Sequence, residues 1–343
     1  MTGTGAAPAE PTRSVATRGC SCSAPPKRVC DLCYSAESVY LACSSACLEL
    51  HRREAHPEHA AASSEARARL TASAWNRRFP DSWTRYAPHR RRVMNLLTEL
   101  PAGGRVCIFG AGNCNDIDLE QLAHAQREIH LVDLDGEALE RSRERQSSAV
   151  RDKLRLHPDV DLSGLLQHLD DWGDRFPDRA ELGKSAVLAA QRVLTQLGAR
   201  FSAVISTCVL SQLGGPFRRT WVTSRSNWAD LLSALQAVHL ASVAGSLEPG
   251  GRALLVFDTS SSKDAPALAA QTELSARELA AFAEAEHSRG RLAFEPAPEN
   301  VVALLKSPGL AALASEPEVG LPWLWDLGDA LQLVYSVGFR KPA

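Results

Sequence analysis

One stretch constrains the fold more than any other: Arg105-Val-Cys-Ile-Phe-Gly-Ala-Gly-Asn-Cys-Asn-Asp116, followed by Glu128-Ile-His-Leu-Val-Asp133. The apolar run Val106 to Phe109 reads as a buried strand of a parallel sheet. It breaks at Gly110-Ala-Gly112, where glycine lets the backbone turn sharply and come close to a ligand. After Asp116 the spacing of Ile117, Leu119 and Leu122 predicts a helix with one buried face. A second strand, Ile129 to Val132, ends on Asp133, about 20 residues beyond the glycines. Strand, glycine turn, helix, strand and acid form a unit that holds an adenosine, with the carboxylate accepting the ribose hydroxyls.

The third position of the glycine pattern separates two cofactor classes. A dinucleotide site wants Gly-x-Gly-x-x-Gly, the last glycine letting helix and strand pack closely beside a pyrophosphate. Here that position is Asn115, followed by Asp116. A carboxylate there repels a pyrophosphate and suits a ligand carrying ammonium and sulfonium charges. The stretch resembles motif I of the class I S-adenosylmethionine-dependent methyltransferases, with Asp133 matching their ribose-binding acid. The resemblance implies a cofactor site built from Gly110, Ala111, Gly112, Asn113, Asp116, Asp133 and Leu134.

Further elements follow in the order that family uses. Gly136 to Gln146 is predicted as an exposed crossover helix and Leu154 to His157 as a third strand. After that strand the family binds the adenine amino group with an acid or polar residue. Asp161 is the candidate, chosen over Asp159 because Leu-Ser-Gly follows it as a helix start. An N-cap aspartate is the other reading, and both can hold. Phe201 to Leu213 holds strand four, apolar from Ala203 to Ile205, with Ser206, Thr207 and Cys208 at its carboxyl end, where open α/β sheets bind ligands. The resemblance puts the methyl acceptor there, with Ser206 and Thr207 lining the cofactor side and Cys208 as a pocket wall rather than a nucleophile. Gly214 to Trp228 reads as a long loop, Ala229 to Ser246 as a helix carrying His239, a catalytic base by one reading and a structural core residue by the favoured one, and Leu247 to Asp258 as a Pro-Gly-Gly turn with strand five. Pro322 to Trp325 and Ala330 to Phe339 fit a closing antiparallel hairpin. The expected fold is α/β, a doubly wound, mostly parallel seven-stranded sheet with one antiparallel edge strand, over residues 101–343.

The head of the chain is of another kind. Six of the nine cysteines lie in the first 47 residues: Cys20-x-Cys22, Cys30-x-x-Cys33 and Cys43-x-x-x-Cys47, followed by His51, His56 and His59. Thiols paired at this spacing in a reducing compartment read as zinc ligands rather than disulfides. Cys43, Cys47 and His51 share a face if helical. Pro57 ends that helix and biases His56 out of it. Two interleaved zinc sites are expected, Cys20, Cys22, Cys43 and Cys47 at one and Cys30, Cys33 and two histidines, His51 and His56, at the other. A single ion on Cys30, Cys33, Cys43 and Cys47 is the simpler alternative. The run Tyr40 to Cys47 resembles the third ligand pair of MYND-type cross-brace fingers. Four protein ligands close each shell, so the module serves structure or a partner protein, not chemistry.

Residues 1–18 are expected to be a disordered tail, 19–60 the zinc module, and 61–100 a helical, basic linker or lid. From Arg67 to Arg92 arginines interleave with Trp75, Phe79, Trp83 and Tyr86. Single-stranded nucleic acid could use that pattern, but Tyr86 to Leu100 reads better as the helix preceding the first strand, with Tyr86 or Arg90 near the methionine end. The whole 343-residue chain is 45% hydrophobic and 23% charged with a formal charge of −2, which disfavours a main task of gripping nucleic acid. It has neither an apolar run of membrane length nor the start of a signal peptide, so a cytoplasmic protein is expected. The expected activity is S-adenosylmethionine-dependent methyl transfer to an unidentified nitrogen or oxygen. A nicotinamide oxidoreductase and a zinc-finger scaffold that binds a nucleoside without turnover are its rivals.

Overall fold

The computed structural model describes residues 17–22, 28–30, 33, 39–173, 175–220 and 225–343. The tail expected over 1–18 therefore lies outside the described residues, except that strand β1, Thr17–Gly19, begins at its end. β1, β2 (Arg28–Val29) and β3 (Val39–Ala42) form a small sheet in the order β1-β3-β2. The helix Ser45–Ala55 follows, capped by Ser44 accepting from the Cys47 N–H.

The remaining strands build one large sheet. They are β4 (Arg105–Phe109), β5 (Glu128–Val132), β6 (Leu154–His157), β7 (Phe201–Thr207), β8 (Leu247–Ser261), β9 (Ser315–Val319), β10 (Trp323–Asp326) and β11 (Leu331–Arg340). Their order is β10-β11-β8-β7-β4-β5-β6, with β4 to β8 mutually parallel. The expected fold class is what the chain adopts, with two differences of detail. The antiparallel strand β11 lies inside the sheet, between β8 and β10, rather than at its edge. An eighth strand also exists: β10 pairs with residues 331–334 of β11 and β9 with residues 337–340, so the two share one edge position end to end.

Alternation along the strands sends side chains to two cores. On β4, Val106 and Ile108 join the layer under helices Ala87–Leu96, Leu119–Ala125 and Gly136–Glu144, while Cys107 and Phe109 join the other layer. That second layer takes in helices Arg179–Leu197, Arg225–Ser246, Ala276–Ser288 and Pro298–Leu305. The stretch read as a long loop after Gly214 is largely helical, as Gly215–Thr220 and then Arg225–Ser246, which starts a turn earlier than the apolar period alone indicates. Phe217 is fully buried, and this apolar contact explains why the segment folds back on the core. Pro-Gly-Gly sits as a bulge within β8: Phe201 pairs with Leu247 but Ala203 with Arg252. Among the described residues no helix is long and apolar enough to cross a membrane.

Candidate functional site

β4 has β5 on one side and β7 on the other, so the chain leaves the sheet in opposite directions on the two sides of this strand. Crevices for ligands form at such a switch point. Gly110 (φ +72°) turns there so tightly that a Cβ would lie 2.3 Å from Val209 and 3.0 Å from the Thr207 carbonyl. Gly112 (φ +45°) and Cys114 (φ +49°) continue the left-handed loop. On the neighbouring exit Cys208 is left-handed as well, at φ +55°, a strained conformation of a kind that clusters at functional sites.

Asp133 ends β5 and faces this loop. The Gly112 N–H donates to its Oδ2 at 2.8 Å and the Asp135 N–H to its Oδ1 at 2.8 Å. Burial pushes its carboxyl up to about 6, against those donors, which pull it down. Asp116 is more exceptional. Among the described residues it has no hydrogen bond, and burial pushes it up to about 7, with Arg90 opposing and Asp258 adding to the rise. Asp258, on β8, accepts from Ser211 Oγ, and burial raises it too. Arg90 is already committed: it donates to the carbonyls of Trp83 and Asn115 at 2.9 Å each and lies 3.2 Å from the Trp83 ring centre. Tyr86, buried beside Asp116 and packed edge-on against Trp325, has its hydroxyl pushed well above its ordinary range by burial.

Other residues singled out from the sequence have their side chains engaged within the protein. Asn113 donates to the carbonyls of Asn76 (2.8 Å) and Phe79 (3.1 Å), and its own carbonyl accepts from Arg145, so neither its side-chain amide nor its carbonyl is free to face a ligand. Asp161 is a cap: Oδ1 accepts from the Ser163 N–H and hydroxyl, and Oδ2 from the Leu166 N–H. Thr207 donates to the Gly110 carbonyl at 3.2 Å, clamping the two exits together. Ser206 turns into the core against His239 at 2.8 Å. Burial drives His239 down to about 3, so it stays neutral as a core residue. Leu134 packs against the larger core and Ala111 is buried in the other. Cys208 is buried, its thiol held well above its ordinary range by desolvation. Asp258, Ser211 and Asn76 were missed from the sequence. Only Asp258 carried a signal, as an acid at the carboxyl end of a buried strand, like Asp133.

In the head, two groups of four converge. Donor atoms of Cys20, Cys22, Cys43 and Cys47 lie within 4.8 Å of one another, as do those of Cys30, Cys33, His51 and His56. Cys43 and Cys47 Sγ are 3.5 Å apart, Cys22 and Cys47 Sγ 3.6 Å, and Cys33 Sγ lies 3.1 and 3.2 Å from Nε2 of His51 and His56. Tetrahedral zinc at its usual bond lengths puts two sulfurs roughly 3.8 Å apart and a sulfur and a nitrogen roughly 3.6 Å apart; the four-cysteine group comes close to this, and the group with the histidines is drawn in tighter by a few tenths of an ångström. The helix Ser45–Ala55 ends before Pro57, and His56 leaves it at φ −140°, which brings its ring beside His51. Tyr40 stacks on His51 at 3.5 Å and orients it. Cys30 and Cys33 belong to one group and Cys43 and Cys47 to the other, so the four residues of the single-ion alternative do not converge on one point.

No protein-family model matches the chain, and no curated protein does. Among solved structures it is similar to the N-methyltransferase NodS of Bradyrhizobium japonicum, solved with S-adenosyl-L-homocysteine: 14% identity and TM-score 0.40, over 79% of this chain and 99% of that one. It is similar to TrmN of Thermus thermophilus at 14% identity and TM-score 0.36, over 74% of this chain and 48% of that one. A putative methyltransferase of Bacillus halodurans gives 11% identity and TM-score 0.38, over 75% of this chain and all of that one.

Proposed function

We propose that the chain is an S-adenosylmethionine-dependent methyltransferase whose head holds two structural zinc ions. The observation that carries this reading is the pairing of Asp133 with Asp116 around one glycine turn. Asp133 keeps lone pairs beyond those used by Gly112 and Asp135, enough to accept two ribose hydroxyls. Asp116 is an unneutralised carboxylate where a dinucleotide would put a phosphate, and it fits a cationic amino-acid end instead. The backbone of Gly110, Ala111, Gly112 and Asn113 supplies the close approach, and Leu134 an apolar wall. Asp161 serves the adenine side by fixing the loop after β6; Thr207 and Ser206 do the same for the exit of β7.

When bound, the cofactor supplies a methyl group on a sulfonium, already electrophilic. The protein's part is to orient the two partners in line and keep water out. We assign to Asp258 the proton of the acceptor, with Ser211 fixing the carboxylate. The acceptor is a nitrogen or oxygen nucleophile. Two carboxylates without a free cation beside them favour an amine, which arrives charged and gives its proton up before attack.

The Asp133 series tests the reading. Asp133→Ala is expected to cost about 2–4 kcal/mol of S-adenosylhomocysteine binding, or roughly 30- to 1,000-fold, and Asp133→Asn less, since an amide oxygen still accepts. Equal affinities by titration calorimetry would reduce Asp133 to a turn acid and remove the reading's main support.

A further inference from the structure

The helix Ser64–Arg78, within the stretch expected as a helical, basic linker or lid, is packed on both sides. Toward the head, Leu70 lies on the cluster of Cys30, Cys33, Ala42 and Leu48. Toward the sheet, Ala68 joins the larger core, and the Ser64 N–H and hydroxyl donate to Asp170 at 2.8 and 2.6 Å. Its last turn reaches the crevice. Asn76 Nδ2 donates to Asp135 Oδ2 at 2.9 Å, and the Asp135 N–H in turn holds Asp133 Oδ1. The Asn76 carbonyl accepts from Asn113, and its Oδ1 lies 3.2 Å from where a side chain on Gly112 would begin. Asn76 thus closes a ring of contacts through Asp135, Asp133 and Gly112, around the carboxylate assigned to the ribose. The head also touches the segment that follows β7, where β2 packs on Gly215–Thr220.

We infer that Asn76 is a positioning residue of the cofactor site, and that the helix bearing it couples metal binding at Cys30, Cys33, His51 and His56 to cofactor binding at Asp133. The inference rests on the cofactor and metal assigned above. A head with so small a core keeps its shape only while its ligands converge on an ion. Without the ion, Leu70 loses the surface it packs on, and the helix is held from the sheet side alone. Asn76 then no longer fixes Asp135, and the carboxylate of Asp133 is free to turn away from the crevice. Such coupling is reciprocal: whatever factor zinc adds to cofactor affinity, the cofactor adds to zinc affinity.

The experiment uses the full chain. S-adenosylhomocysteine affinity is measured by calorimetry on zinc-loaded and zinc-stripped protein. Zinc affinity is measured by competition with a chromogenic chelator, with and without S-adenosylhomocysteine. The expected result is the same factor both ways, about tenfold. Asn76→Ala is expected to weaken S-adenosylhomocysteine binding, leave zinc affinity of the ligand-free protein unchanged, and bring the factor close to one. If stripping unfolds the chain, seen by circular dichroism, the chelator competition still reads the factor from the zinc-loaded side. A factor of one in the unaltered protein, or a factor that survives Asn76→Ala, would overturn the coupling while both ligands still bind. Failure to bind zinc, or failure to bind S-adenosylhomocysteine, would overturn it together with the assignment on which it rests.

Discussion

The head buries Cys30, Cys33, Ala42 and Leu48 in a cluster of its own, with Tyr40, Cys47 and Leu70 against it. The sheet buries Phe109, Phe201, Phe257 and Leu165 on one face and Ile108, Ile129 and Leu131 on the other, all essentially inaccessible. A fully buried large apolar side chain contributes about 1.5–3 kcal/mol, so the sheet accumulates stability from area. The head cannot, and two of its four core residues are themselves candidate ligands. One region is held by a distributed core, the other by eight donor atoms at two points. The first tolerates loss of any one contact; the second fails as a unit.

Metal removal should break this contrast most visibly. Structural zinc contributes about 10–16 kcal/mol to small zinc domains at neutral pH, so Cys33→Ser is expected to abolish zinc at its own site and unfold the head, with the sheet's hydrogen exchange protection retained. Freshly purified, reduced protein without zinc would end the account of the head. A core truncation probes the other region. Ile108→Ala should lower the unfolding free energy of the sheet by about 2–5 kcal/mol in denaturant, with zinc content unchanged below the transition. Loss of zinc in parallel with the sheet would mean the two regions form one cooperative unit.

A smaller effect concerns pH. The Asp116 carboxyl, raised from 3.8 to about 7, holds its proton longer in the folded chain than in the unfolded one. Folding is therefore penalised increasingly as pH climbs from about 4 to 7, and fully above. Arg90 offsets part of this and Asp258 adds to it, while Tyr86 and Cys208 stay neutral across the range. Asp116→Asn should raise the melting temperature of the ligand-free protein at pH 8 and leave it unchanged at pH 4. It should also weaken S-adenosylhomocysteine at pH 8 by about tenfold, since a charge-assisted contact to the ligand ammonium is lost. An unchanged melting temperature at pH 8 would mean Asp116 is solvated and not waiting for a cation.

Much of this was legible in the chain because the signals are local. The continuous apolar run Val106 to Phe109, the glycines after it and the acid at Asp133 lie within one supersecondary unit, and the structure repeats them as β4, turn and β5. The pairing of thiols in the head was legible for the same reason, each pair fixed by its own spacing, and the structure brings the pairs together in two groups. What escaped depends on packing between distant segments. Nothing near Asn76 marks it, because its partners Asn113 and Asp135 are 37 and 59 residues away. Ser206 looked like a crevice residue by position, yet it faces inward, since alternation along β7 sends it toward His239. The place of β11 inside the sheet was hidden because a hairpin's pattern does not say which of its strands pairs with β8.

The central claim is that the crevice beside Asp133 and Asp116 takes a cationic nucleoside rather than a dinucleotide. Titration calorimetry of the zinc-loaded chain with S-adenosylhomocysteine, and separately with NAD, tests it most directly. The account expects one S-adenosylhomocysteine per chain and no heat from NAD. Saturable binding of NAD with none of S-adenosylhomocysteine would contradict it, because Asp116 would then stand beside a pyrophosphate it should repel.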